Sequence, residues 1–348
     1  MLERVARKLR KAAPSKTART GKTAPQDPPK RTPREAREAR LRAALQQEMA
    51  IDVERIVQHS MPTGGHGKLA RLRGMKLDAA ATRLYHRVEK GFSLPEPRRP
   101  FGAQALKGLD VVLANDKHDP DALYAHESRA VLSALEAWNE RGERDEAVAP
   151  RGDSLPTNPL DAETMAHFIT SRRSIRDFAP TPVAREMIEE AVRVAMSAPS
   201  VCNRQGWRAY WFDSAEDLAR VLPLHSGSGG FADRIPGVFV LTYDIRAFEG
   251  PHERNQGYID GGLFSQNLLL ALHGLGLGAV PLNWSRSQQA SAKMRAAAGI
   301  PDHENILMLV AAGHPAEGYR VARSARRPLA EVLRFGMPEK PDASGMAT

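Results

Sequence analysis

The chain has 348 residues, of which 42% are apolar and 26% charged, so a sizeable buried core is available. One cysteine excludes an internal disulfide framework and any multi-cysteine metal or iron–sulfur site, and no apolar run approaches the roughly 20 residues of a membrane span. The net charge is +9, and residues 1–40 hold all of the excess, with 13 Lys and Arg against 4 Asp and Glu. The rest of the chain balances to zero, so the high isoelectric point describes a tail. That tail is expected to be either a solvated leader or a weak contact for anionic lipid or another polyanion.

Leu2, Val5, Ala6 and Leu9 mark one face of a short basic helix that suits either a membrane surface or a targeting leader. Five prolines in 14–33 predict a flexible linker. Leu41, Ala44, Leu45 and Met49 recur at helical spacing and predict a helix over 34–60. A second helix is expected over 76–90. Asp119-Pro120 predicts the start of a third, reaching Asn139 with Leu123, His126, Ala130, Leu132 and Leu135 inward. The charged, then Pro- and Gly-rich stretch 141–160 predicts a boundary. The expected organisation is a basic disordered tail (1–33), a mostly helical extension (34–155), a second domain (156–335) and a flexible C-terminus (336–348).

Beyond residue 160 a helix over 161–170 is expected to bury Met165, Phe168 and Ile169. Thr181-Pro182 predicts the cap of another, with Val183, Met187, Ala191, Val194 and Ala195 on one face. Short apolar strands are predicted at Arg208–Phe212, Val238–Tyr243, Ala279–Leu282 and Ile306–Ala311. Between the second and third lies a helix, Tyr258–His273, so apolar that it belongs inside the fold or at a subunit interface. Helices and strands do not alternate, which predicts an α+β fold rather than a doubly wound sheet.

Two segments carry chemistry. In Arg172-Arg173-Ser174-Ile175-Arg176 alternate residues of an extended strip share a face, so Arg172, Ser174 and Arg176 suit a long anion such as a phosphate ester; the alternative is a surface cluster paired with acids. In Pro199-Ser200-Val201-Cys202-Asn203-Arg204-Gln205, Asn203 and Gln205 offer donors and acceptors for an imide edge, or else form a self-bonded turn. Ser226-Gly227-Ser228-Gly229-Gly230 predicts a flexible loop able to border a pocket. Trp284 suits equally a stacked substrate or the core. Cys202 lacks an evident base and reads as a packing residue.

Together these segments resemble the nitroreductase family of FMN-dependent oxidoreductases. The order R-x-S-x-R-x-F, P-S-x-x-N-x-Q-x-W, Asp260-Gly261-Gly262, Gly274-Leu275-Gly276, Ala279 to Asn283, Gly313-His314-Pro315 and Arg326-Arg327-Pro328-Leu329 matches over about 160–335. The resemblance implies a nitroreductase-like central sheet flanked by helices, FMN as cofactor, NAD(P)H as electron donor, a cytoplasmic homodimer and ping-pong reduction of a nitroaromatic or quinone-like acceptor. It implies that Arg172 and Ser174 hold the phosphate with Arg326 reaching it from the C-terminal segment, that Arg173 belongs to the cofactor-binding set, and that Arg176 lies by the pyrimidine edge. Asn203 and Gln205 would bond the ring, Pro199, Ser200 and Val201 would pack on it from the partner subunit, and Pro281, Leu282 and Asn283 would present backbone near its reactive edge. No general acid and no metal are implied. A reductive dehalogenase, a flavin-consuming enzyme, or a flavin-binding protein tethered by its tail stands as an alternative. The long extension resembles that of a subgroup associated with polysaccharide biosynthesis. It is expected either to pack on the core or to bring His86 or Glu89 to the site.

Overall fold

The computed structural model describes residues 32–62 and 66–336. The expected tail and leader helix, apart from Thr32 and from Pro33, which opens the first helix instead, and most of the expected flexible C-terminus lie outside these residues. By internal contacts the chain divides into Met1–Gln47 and Glu48–Thr348. In the first unit the described residues, 32–47, form the opening half of helix α1 (Pro33–His59), whose N-terminus is tied by Thr32 and Glu35 bonding each other. Arg34 and Glu38 pair one turn apart at 2.9 Å. Leu41, Leu45 and Met49 of the expected stripe stay exposed.

The second unit continues with α2 (Met75–Phe92), α3 (Ala103–Leu113), α4 (Leu123–Arg141), α5 (Ala162–Ser171) and α6 (Arg185–Ala195). Then come β1 (Trp207–Phe212), α7 (Ala215–Val221), β2 (Val238–Asp244) and the long helix α8 (Gln256–Gly274). The chain finishes with β3 (Gly278–Asn283), α9 (Gln288–Ala298), β4 (Glu304–Gly313) and a single turn, α10 (Leu329–Val332). The four strands form one antiparallel sheet in the order β1-β2-β4-β3, so the fold is α+β as expected.

The two-residue period of the strands divides the core. Phe239, Leu241, Val310 and Ala312 face α6 and α8, whereas Val238, Val240, Leu309 and Ala311 face α7 and α9. A third cluster joins α2, α3 and α4 to Tyr243, Ile245, Ala247 and Phe248 at the end of β2. The extension from residue 48 onward therefore packs on the sheet domain. Arg55 of α1 is buried there, donating to Asn305 and, at 2.9 Å, to the Glu304 carbonyl. Gly257 and Gly261 let α8 lie on the sheet: a Cβ at either would collide with the Tyr243 ring or the Leu307 side chain.

Several expectations change. Asp119 does not cap α4: its carboxylate accepts from Asp121 N, and the helix starts at Leu123 after an uncapped Ala122. The buried face of α4 is Tyr124, Ala125, Ser128, Val131, Ala134 and Leu135, so Leu123, His126 and Ala130 point outward. Thr181-Pro182 likewise precedes an extended residue, and α6 begins at Arg185. On α6, Ile188 takes the inward position and Val194 is exposed. On α5, Met165 and Ile169 are exposed instead of buried. Helices α3, α7 and α9 have no counterpart in the sequence reading.

Candidate functional site

Helix α5 opens where Asp161 accepts from Thr164 N at 2.7 Å, and it ends at Ser171. Arg172 leaves it in extended conformation, and the strip then runs beside β3, with Ser174 bridging Ala279 and Ile175 N donating to the Ala279 carbonyl at 3.1 Å. Ile175 and Phe178 turn into the core and leave Ser174 and Arg176 outward. Arg172 is half-buried, and its Nη1 is buried without a hydrogen-bond partner. Burial lowers its pKa most, and the neighbouring charges of Arg173 and Arg326 push the same way. Neither neighbour is spent on a carboxylate: Arg173 donates to the carbonyls of Thr170 and Arg172, and Arg326 to that of Ser324. His273, at the end of α8, bonds Ser171 Oγ through Nε2 at 2.9 Å. Its pKa is lowered by burial and then by Arg172. Three guanidinium groups converging without a counter-ion are costly unless an anion joins them.

Arg176 lies in a cleft of about 600 Å³ with Asp177, Gly229, Gly230, Phe231, Arg234, Gly318 and Arg320. The Ser226–Gly230 loop thus borders a pocket, and it is anchored by His225. Gly227 N donates to His225 Nδ1 at 2.8 Å, so Nε2 carries the proton and donates to the Asn283 carbonyl at 2.9 Å. At this end of β3, Pro281 and Asn283 are exposed and Leu282 is buried. Trp284 donates to Ser291 Oγ at 3.0 Å and packs at the rim of the core beside His225.

The amide-bearing loop, 199–205, joins α6 to β1. Cys202, Asn203 and Gln205 all have φ near +50°, a region that residues other than glycine enter only when their surroundings compel it. Gln205 Nε2 donates to the Asn203 carbonyl and lies 3.4 Å from Asn203 Oδ1, so both carboxamides sit side by side, with Asn203 exposed. Five hydrogen bonds hold the turn. Val201 N donates to Asp260 Oδ2 at 3.1 Å, and Gln205 N to Ser200 Oγ at 3.1 Å. Arg204, between the two amides, is fully buried and paired twice with Glu253, at 2.8 and 2.9 Å, while donating to the Ala247 carbonyl at 2.7 Å.

Burial pushes the Glu253 carboxyl up, but the Arg204 bonds, the Glu249 N–H and nearby positive charge bring it below its ordinary range. Burial keeps Asp260 above its own. Helix α2 packs against the same turn, so the extension buttresses the loop. His86 and Glu89 bond each other at 2.9 Å on α2. Arg204 and Glu253 had no role in the sequence reading, and Asp260 entered it only as the head of a glycine motif; the one signal for Arg204 was its place between two amides.

The structure groups Arg172, Arg173 and Arg326, with Ser174 on the same strip, and sets Arg176 in the neighbouring cleft. It does not bring Asn203 and Gln205 to them within one chain. The loop is tied to Asp260 and the strip to His273, at opposite ends of α8, about 20 Å apart at about 1.5 Å rise per residue. Among the described residues Asp244, His303 and Glu304 could gather a metal ion. Their oxygens already accept from Arg246, Tyr210 and Thr242.

The sequence profile of the nitroreductase family matches residues 169–229 and 224–314. An NADH dehydrogenase of Thermus thermophilus is 31% identical over 208 residues, covering 50% of this chain and 95% of that protein. An FMN reductase [NAD(P)H] of Bacillus subtilis is 26% identical over 175 residues, 46% of this chain and 67% of its own. An iodotyrosine deiodinase of Nematostella vectensis is 24% identical over 220 residues, 53% and 80% of the two chains. The chain belongs to the nitroreductase family.

Proposed function

We propose that the protein is an FMN-dependent oxidoreductase in which NAD(P)H delivers electrons and a small nitroaromatic or quinone-like acceptor removes them, the two using one face in turn. The observation that carries this reading is the buried, unpartnered Nη1 of Arg172 beside Arg173 and Arg326. A flavin phosphate fits that gap: it would accept from these guanidinium groups and from the Ser174 hydroxyl, and neutralise them. Arg176 would supply fixed positive charge at the pyrimidine edge, where reduction puts negative charge. Asn203 and Gln205 would bond the ring edge through paired donors and acceptors. The end of β3, held by His225, would bound the face that substrates use. When bound, FMN supplies the two-electron centre of the reaction.

The separation of the loop from the strip supports a homodimer. Ile259 and Leu263 of α8, Met165 and Ile169 of α5 and Val194 of α6 are exposed apolar residues. A Cβ at Gly262 would meet nothing within 4 Å, which allows close approach along α8. A two-fold axis crossing α8 would lay the helix antiparallel on its twin. The Asp260 end of one protomer would then meet the His273 end of the other, and one protomer's loop 199–205 would complete the other's arginine site.

Absorbance of the purified protein tests the reading. It is expected to show bound flavin, bleached by NAD(P)H under nitrogen and restored by nitroaromatic, quinone or halophenol acceptors. A colourless protein that takes up no added FMN would overturn it.

A further inference from the structure

We infer that Arg55 of α1 and Arg295 of α9 together bind a small monovalent anion, a halide ion in chemical class, in the seam between the two helices. The site shares no residue with the proposed flavin site and does not depend on that reading.

The seam is lined by polar side chains. Gln288, at the head of α9, donates through its backbone N–H to Glu48 and through Nε2 to Asp52, both at 2.7 Å. One turn beyond Asp52 comes Arg55, and two turns beyond Gln288 comes Arg295. Each of these arginines is only 6% exposed. Arg55 uses Nη1 on the Asn305 side chain and Nη2 on the carbonyls of Asp302 and Glu304. Arg295 uses Nη2 on Asp302 Oδ1 at 3.1 Å. Arg55 Nε and Arg295 Nη1 are left buried without a hydrogen-bond partner among the described residues.

Both guanidinium groups approach one oxygen. Arg55 Nε lies 3.7 Å from Asp302 Oδ1, too far for a hydrogen bond, and that is the atom Arg295 holds. One carboxylate therefore serves two cations that do not lose their protons in a protein. The Asp302 side chain is itself 61% exposed and is shared again with His59, at 3.2 Å. Asp52 also acts on Arg55 through its charge, but it bonds Gln288 and forms no ion pair with either arginine. The Arg55 pKa is lowered, first by burial and next by the charge of Arg295.

A neutral partner would satisfy the two N–H groups and leave the cations short of negative charge. An anion does both, through charge-assisted hydrogen bonds. A halide accepts from any direction and brings no further oxygens to satisfy. That suits this seam, because α1, α9 and residues 299–305 hold no other unpartnered buried donor among the described residues. Gln288 Oε1 is also buried without a partner, but it is an acceptor and lies about 10 Å from Arg295 along α9. A bound anion would tie α1 to α9 and to the start of β4, and so stabilise the fold.

The test follows thermal unfolding of the full chain in sodium chloride and in sodium gluconate at equal ionic strength, with excess FMN present. In wild type, chloride at about 0.3 M is expected to raise the midpoint by roughly 2–4 °C over gluconate. Arg295→Met removes one cation and one donor, and should unfold at the same temperature in both salts. A wild type indifferent to chloride overturns the site. So does a folded Arg295→Met that keeps the full shift, since the anion then sits elsewhere. Should Arg295→Met not fold, wild-type crystals grown in sodium bromide decide. An anomalous peak in hydrogen-bond contact with both Arg55 Nε and Arg295 Nη1 supports the site, and a water molecule or no peak there overturns it.

Discussion

Asp260 and His273 stand at opposite ends of one helix, and each fastens a different half of the candidate site. Asp260 accepts from Val201 N in the amide loop, and His273 bonds Ser171 at the head of the arginine strip. The helix keeps these two anchoring residues about 20 Å apart in a single chain, at about 1.5 Å per residue. Antiparallel pairing with a second α8 would close that distance without moving either half.

Leu263→Glu places a charge on the exposed apolar stripe of α8. The wild type is expected to sediment as a dimer, and the variant as a monomer with little bound flavin. A monomer that keeps full flavin occupancy would show that one chain suffices for binding.

Arg172→Ala combined with Arg326→Ala removes two of the three converging cations. Charge-assisted hydrogen bonds contribute about 1.5–3 kcal/mol each, so flavin should bind at least about a hundredfold more weakly. Flavin content after gel filtration reads this directly. A double variant that purifies fully yellow would refute the assignment.

His273 reports on the same site without catalysis. Burial and the Arg172 charge both disfavour its protonated form. An anion beside Arg172 cancels part of that charge, so the His273 pKa should rise when FMN or inorganic phosphate binds. Histidine NMR titration with and without ligand measures the change, and an unmoved or falling value would place the anion elsewhere.

Glu253→Gln leaves the buried Arg204 without its counter-ion, a loss of about 3–5 kcal/mol for pairs of this kind. Urea denaturation should show it. The pH dependence follows in sign. The folded pKa of Glu253 lies below the unfolded value, so its stabilisation is present above the unfolded pKa and is lost as pH falls through the folded one. Wild type should lose more stability than the variant on acidification. Equal acid sensitivity would mean that the pair does not hold the loop.

Periodicity by itself determined the α+β class, the four strands to within a few residues and the apolar character of α8, because these follow from local spacing and hydropathy. The order of the arginine, amide and glycine motifs determined the family for the same local reason. The sequence could not show that Met165 and Ile169 face outward, because an exposed helix face can carry the same apolar stripe as one bound for the core. Nor could it show that Arg204 is a buried strut, since its partner Glu253 lies far along the chain and only folding brings them together. The division of the candidate site between the two ends of α8 was likewise a tertiary decision. It depends on which end of a rigid helix each loop reaches, a distance that no local pattern encodes.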